Sequence, residues 1–199
     1  MKKSAKYIPY ILFLVSIPMT YLIGQFQFNE KIEKIWFHKE IIRVDVGENE
    51  FNVKAEYFYR NLSDDNVTLK AFAPFPSDKN HLPPVDITLC ENNKIPISYE
   101  DGKNQINFYL IFEPLENKSV TLYYKQNVRD SRGRYILTTT KTWKKPMHEA
   151  YYYLSTPENK RILSSTYPLD LACRGKRNIY KFTKKSFLPQ KEWDFSWSK

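Results

Sequence analysis

Metal and covalent chemistry both need particular side chains in particular company, and this chain has few to offer. Its histidines are His38, His81 and His148, and its cysteines are Cys90 and Cys173. A structural zinc site needs four such ligands converging. No two histidines share a short ligand spacing, and neither cysteine has a C-x-x-C partner, so no metal site and no cofactor are expected. Covalent hydrolysis needs a nucleophile beside a positioned base. The sequence holds no G-x-S-x-G and no other strand–turn–helix elbow, so no catalytic residue is assigned. Asp64, Asp65 and Asn66 supply oxygens of the kind calcium takes, yet they sit between two strand patterns, where Asp and Asn serve the turn itself.

Binding chemistry is better represented. The net charge is +9, unevenly spread: residues 28–124 hold 11 basic and 16 acidic side chains, residues 125–199 hold 17 and 6. Arg129, Arg132, Arg134, Lys144, Lys145, Arg174, Lys176 and Arg177 carry much of that basic excess. They read either as a solvated charged face or as one positive patch. A patch would meet an acidic envelope component, either anionic headgroups or a cell-wall polymer, or a partner protein. Aromatic side chains interleaved with cations also suit single-stranded nucleic acid, but an exported chain does not meet it. Tyr151 and Tyr153 share one face of a strand and are expected in the core with their hydroxyls at the rim. Display on a solvent face, for stacking on sugars or a partner, is the alternative.

The N-terminus sets the address. Lys2, Lys3 and Lys6 precede an uncharged run from Tyr7 to Phe26. Twenty helical residues rise ~30 Å, about one hydrocarbon thickness. The lysines stay cytoplasmic and the rest is exported, to the periplasm or cell surface. No A-x-A-like site stands out, because Gly24 follows Leu22 and Thr20 follows Pro18. A retained membrane anchor is therefore expected over a cleaved signal peptide. Cys90 and Cys173 then lie in an oxidising compartment, which predicts a disulfide closing a long loop and contributing ~4 kcal/mol. Two separate buried thiols are the alternative.

These residues need elements to position them, and the period says strands. Phe51, Val53, Ala55, Tyr57 and Tyr59 alternate with Asn52, Lys54, Glu56, Phe58 and Arg60. Similar rows cover Val67–Ala73, Ile106–Phe112, Val120–Tyr124 and Trp193–Trp197. Further strands are expected near 41–46, 85–90, 94–99, 135–142, 149–154 and 178–183. Turns fall at Asn61–Asn66, at Glu91-Asn92-Asn93-Lys94 as a tight hairpin, and at Asp130–Arg134. Pro74 through Pro84 reads as a loop crossing between sheets, and residues 155–177 as the least regular part. Residues 1–6 form a basic tip, 7–26 the membrane segment, 27–40 a juxtamembrane stalk and 41–199 one domain. Many short strands without a long amphipathic helix predict an all-β, antiparallel, immunoglobulin-like sandwich behind one N-terminal transmembrane helix.

Three stretches look familiar together. They are Val53–Pro76 with its Asp turn, Tyr135–Met147, and Phe182–Phe195 with its Phe187-Leu188-Pro189. Across most of residues 41–198 they resemble bacterial exported β-sandwich domains of unknown function, which implies an architecture and no activity. The expectation is a membrane-anchored, non-enzymatic module binding another envelope component. An envelope enzyme or enzyme subunit with a site assembled from distant loops, and a purely structural accessory protein, are the alternatives.

Overall fold

The computed structural model describes residues 31–199. They form β1 (Ile35–Val46), β2 (Glu50–Asn61), β3 (Val67–Pro74), β4 (His81–Glu91), β5 (Ile95–Pro96), β6 (Tyr99–Gly102) and β7 (Gln105–Phe112). After these come β8 (Asn117–Val128), β9 (Arg132–Tyr135), β10 (Met147–Pro157), β11 (Ile162–Ser165), β12 (Asp170–Cys173), β13 (Arg177–Phe187) and β14 (Trp193–Trp197). A 3-10 helix at Thr138–Trp143 is the one helix with described bounds. The strands make an eight-stranded sheet of order β12-β13-β10-β1-β2-β8-β4-β5 and two three-stranded sheets, β11-β14-β9 and β3-β7-β6.

Both small sheets pack on one face of the large one. Phe51 of β2 meets Phe195 of β14 at 5.8 Å between ring centroids, Tyr152 of β10 meets Trp193 at 5.6 Å, and Tyr59 of β2 meets Phe112 of β7 at 6.2 Å. The inner row of β1 after its bulge (Ile42, Val44, Val46) and that of β2 (Phe51, Val53, Ala55) join the same core. Burying one such side chain contributes roughly 1.5–3 kcal/mol. Period-2 patterning therefore decides which residues face inward, and aromatic bulk fills the space between layers.

The layered all-β fold agrees with expectation, but the sheet is not wholly antiparallel and not immunoglobulin-like. β1 lies between β2 and β10 and runs parallel to β10, with Ile42 beside Tyr152 and Val44 beside Leu154. A parallel pair needs a long crossover, and here more than a hundred residues separate the partners. The stalk also ends sooner than residue 40. Ile35–Glu40 belong to β1 and pair with β2 from Asn61 to Tyr57, in the middle of the sheet. The membrane segment at 7–26 lies outside the described residues. Among those described, no helix is long and apolar enough to cross a membrane.

Other local differences have local causes. The strand expected at 135–142 stops at Tyr135. Glu192 takes the N–H groups of Leu137 (2.5 Å) and Thr138 (3.1 Å) and the Thr138 hydroxyl, and the chain tightens into the 3-10 helix. The segment 155–177 contains β11, β12 and the end of β10. The 94–99 strand is split into β5 and the start of β6. Pro83 and Pro84 lie inside β4, where the ladder to β8 is irregular between His81 and Pro84, as residues without N–H require. Gln126, fully buried on β8, steadies that stretch by donating to the carbonyls of Pro76 (2.8 Å) and Leu82 (2.7 Å).

Candidate functional site

The outer face of the large sheet is the most chemically loaded surface. Register sets Lys181, Tyr153, Arg43, Lys54 and Tyr123 side by side across β13, β10, β1, β2 and β8. A second row holds Lys185, Glu149, Lys39 and Phe58. The cations lean over the rings: Lys39 lies 5.1 Å from the Phe58 centroid and 5.5 Å from that of Tyr151, Arg43 5.4 Å from Tyr153, and Lys54 5.6 Å from Tyr123. Such contacts are each worth ~0.5–1 kcal/mol when exposed, and they hold flexible side chains flat on the sheet. Glu56 pairs with both Arg43 and Lys54, so one carboxylate answers two cations. Partial burial, then the nearby Lys39 and Arg60 charges, push the His38 pKa down, so His38 adds aromatic surface rather than charge.

Tyr151 and Tyr153 therefore face outward, a correction to the expectation that they are core. Tyr152 between them is the core residue, fully buried and stacked on Phe182 at 4.2 Å. The reversal follows from the pleat: in a triple of like residues, period 2 says which two share a face but not which face is inside.

The basic residues named from sequence do not form one patch. Arg129, Arg132 and Arg134 lie at the end of β8 and on β9, where Arg134 binds Asp194 (2.6 Å) and Asp78 (3.6 Å) and Arg132 reaches Asp130 (3.5 Å). Lys144 and Lys145 follow the 3-10 helix and engage Glu33, Lys144 its carboxylate at 3.4 Å and Lys145 its carbonyl at 3.0 Å. Arg174 and Lys176 are exposed in the β12–β13 hairpin, and Arg177 is tied to Asp45 (3.6 Å) and Ser155. Along the β10–β13 ladder, Phe187 pairs with Met147 and Arg177 with Pro157, a run of about 34 Å, with Arg177 at one end and Lys144 in the chain that leads into the other. Cys90 and Cys173 do not pair either. Both are free thiols, on β4 and β12, with five strands of the sheet between them.

A cleft lined by Asp78, His81, Asp130, Arg132, Arg134, Ser164, Asp194 and Ser196 has the residue types of a hydrolase. Its polar groups bond mainly to one another. The Asp78 carboxylate receives the N–H groups of Asn80 (2.8 Å) and His81 (3.0 Å) and faces His81 Nδ1 at 2.9 Å. Partial desolvation pushes the Asp78 carboxyl up, and these hydrogen bonds outweigh it, leaving the pKa at about 2. His81 Nε2, the atom a nucleophile would need, is buried and has no partner among the described residues. Ser164 and Ser196 bond each other at 2.6 Å.

The interior holds one more concentration of polar groups. A cavity of about 70 Å³ between the large sheet and the β3–β7 pair is lined by Glu40, Tyr57, Tyr59, Tyr124, Tyr135 and Trp143, with apolar wall from Leu69 and Phe108. The Tyr57 and Tyr135 hydroxyls bond each other at 2.6 Å, and the Tyr152 hydroxyl donates to Glu40. Burial raises the Glu40 carboxyl to about 7, against the lowering effect of that hydrogen bond. Burial likewise raises Tyr57, Tyr59, Tyr124 and Tyr135 above the usual phenol range. Sequence reasoning did not reach Glu40, because it lies in the stretch read as a stalk. The polar, outward half of the alternation through Lys54 and Phe58 was the available signal for the outer face.

No protein-family model matches the chain, and no curated protein matches it. Its fold does match solved structures. A candidate nutrient-binding protein from Legionella pneumophila superposes with a TM-score of 0.69 at 15% identity, over 82% of this chain and 67% of its own. An M1 zinc metallopeptidase from Deinococcus radiodurans superposes with a TM-score of 0.51 at 8% identity, again over 82% of this chain. This chain spans 42% of the metallopeptidase's length. At such identities the likeness is one of fold, and a fold shared by two such different proteins does not choose between binding and catalysis.

Proposed function

We propose that the chain is a non-enzymatic binding module, held on the extracytoplasmic side of a membrane by residues 7–26, that meets an acidic envelope polysaccharide through the outer face of its eight-stranded sheet. The observation carrying this reading is the row Lys181, Tyr153, Arg43, Lys54, Tyr123. Aromatic faces offer flat apolar area for sugar rings. Guanidinium and ammonium groups offer charge-assisted hydrogen bonds to carboxylates or phosphates. Glu56 sets one negative charge against two cations, so the cluster keeps a net positive charge, and the basic excess after residue 124 adds long-range attraction for a polyanion. The basic tip and uncharged run before residue 27 support the address.

The test starts from protein that stays with membranes in high salt and comes off in detergent. It is titrated with polygalacturonate and, as a neutral control, dextran. Binding is expected for the polyanion alone, weakening as salt screens it. The pair Arg43→Ser with Tyr153→Ser should lower affinity roughly tenfold or more, about 1.4 kcal/mol. Arg132→Glu, on β9 at the other side of the core, should change it less than about twofold. Equal affinity for both polymers, or binding indifferent to the Arg43 and Tyr153 changes, would sink the proposal.

A further inference from the structure

Glu40 is a carboxyl group where a carboxylate is costly. It lies on β1 at the centre of the large sheet, 1% exposed, pointing between the layers. Among the described residues its side chain has one hydrogen-bond partner, the uncharged Tyr152 hydroxyl, and no ion pair. An unpaired buried charge costs several kcal/mol, so a carboxylate there calls for a cation.

The surroundings suit one kind of cation. Phe37, Tyr59 and Trp143 contact one another at the cavity wall, with centroids 5.1, 5.7 and 5.4 Å apart for Phe37–Tyr59, Phe37–Trp143 and Tyr59–Trp143. Tyr124 closes another side. Tyr59 and Tyr124 are buried residues of the cavity wall whose hydroxyls make no hydrogen bond among the described residues and keep a little accessible surface. A metal ion wants several convergent oxygen or nitrogen ligands, whereas aromatic rings that line one cavity with a single carboxylate suit a soft organic cation. Size agrees. One water takes ~10–15 Å³ on the scale used for cavities, so about 70 Å³ holds a headgroup of about five heavy atoms. The cavity also has a mouth, where exposed Phe72 and Thr142 and the outward Lys70 line its rim.

We propose that this cavity binds a small organic ammonium of the size of a methylated headgroup, with Glu40 as its counter-ion and Phe37, Tyr59, Tyr124 and Trp143 as its aromatic cage. Binding is then coupled to a proton. The empty cavity favours the neutral acid, held at about 7 by burial, and an arriving cation favours the carboxylate, so the proton on Glu40 leaves to solvent. The groups facing Glu40 do not compete for that role. Tyr57 and Tyr59 on β2, Tyr124 on β8, Tyr135 on β9, Tyr152 on β10 and Tyr167 before β12 are phenols held above their usual pKa by burial, and Lys70 at the rim lies over Tyr109 at 5.8 Å.

Calorimetric titration of the full chain in detergent, with tetramethylammonium against tert-butanol, an uncharged molecule of similar size, decides the matter. Tetramethylammonium should bind at least about tenfold tighter than tert-butanol. Glu40→Gln should abolish that preference, and Trp143→Leu should weaken tetramethylammonium while sparing tert-butanol. Near pH 6 the heat should differ between phosphate and a buffer of higher ionisation enthalpy, showing the released proton, and should not differ in Glu40→Gln. Should Glu40→Gln fail to fold, Trp143→Leu and the two-buffer comparison on the native chain carry the test. Equal affinity for the two probes, no binding of tetramethylammonium, or no proton release would overturn the proposal. Polygalacturonate binding should be untouched by Trp143→Leu, so failure of one site is distinguishable from failure of the other.

Discussion

Glu40 makes stability depend on pH in a direction opposite to that of a paired carboxylate. Burial raises its pKa from an ordinary 4.5 to about 7. Below 4.5 the folded and unfolded forms are both protonated, and the group contributes nothing. Between 4.5 and about 7 the unfolded chain gives up the proton while the folded chain keeps it, so stability falls as pH rises. Above about 7 the penalty is constant, at roughly 3 kcal/mol. Urea unfolding of the native chain and Glu40→Gln at pH 4 and pH 8 measures this directly. The variant should gain on the native chain as pH rises, by up to roughly 3 kcal/mol, and a difference independent of pH would refute the assignment. Glu40 was hidden in the sequence for a definable reason. A bulge between Phe37 and Lys39 shifts the register of β1 against β2. Ile35 and Phe37 face inward before it, and Glu40, Ile42 and Val44 after it. A single inserted residue swaps inner and outer positions, and no composition rule places it.

Elements built from local chemistry were legible, and those built from distant contacts were not. Glu91-Asn92-Asn93-Lys94 is the tight hairpin its residues announce. Asn92 and Asn93 both take positive φ (49° and 59°), and Lys94 N–H returns to Glu91 O at 3.0 Å. Asn61 is likewise readable as a turn residue, and its side chain binds the N–H of Ser63 and the carbonyls of Asp65 and Glu113. Gly133 carries a different constraint. It sits opposite Phe195 on β14, and a Cβ built there would lie 2.3 Å from the buried Phe195 ring. Gly133→Ala should therefore destabilise by ~1–3 kcal/mol in thermal or urea unfolding, although Ala suits a strand better than Gly. Adding Phe195→Leu should recover part of that loss, giving a coupling between the two sites that additive effects would not produce.

At the scale of the whole molecule, topology decides which residues meet. It separates Cys90 from Cys173 by five strands and leaves Cys173 exposed and Cys90 half-buried. Non-reducing electrophoresis should thus show no mobility change on reduction, and a thiol reagent should modify Cys173 faster than Cys90 in the folded protein. A reduction-dependent shift lost in Cys90→Ser would contradict this topology. The same topology disperses the predicted basic patch to three places and assembles an unpredicted one, because Lys39, Arg43, Lys54 and Lys181 become neighbours only once β13, β10, β1 and β2 lie side by side.

By itself, the amino-acid order determined the strand-forming segments, most hairpin turns, the all-β class and the expectation of export, because period, turn chemistry and an uncharged run are local properties of a chain. Tertiary structure alone decided the parallel β1–β10 pair, the inward turn of Glu40, the outward turn of Tyr151 and Tyr153, and the fate of the two cysteines. Each of these depends on which strand becomes whose neighbour. That choice is made by pairing and packing across a hundred residues, where a one-residue shift in register exchanges core for surface.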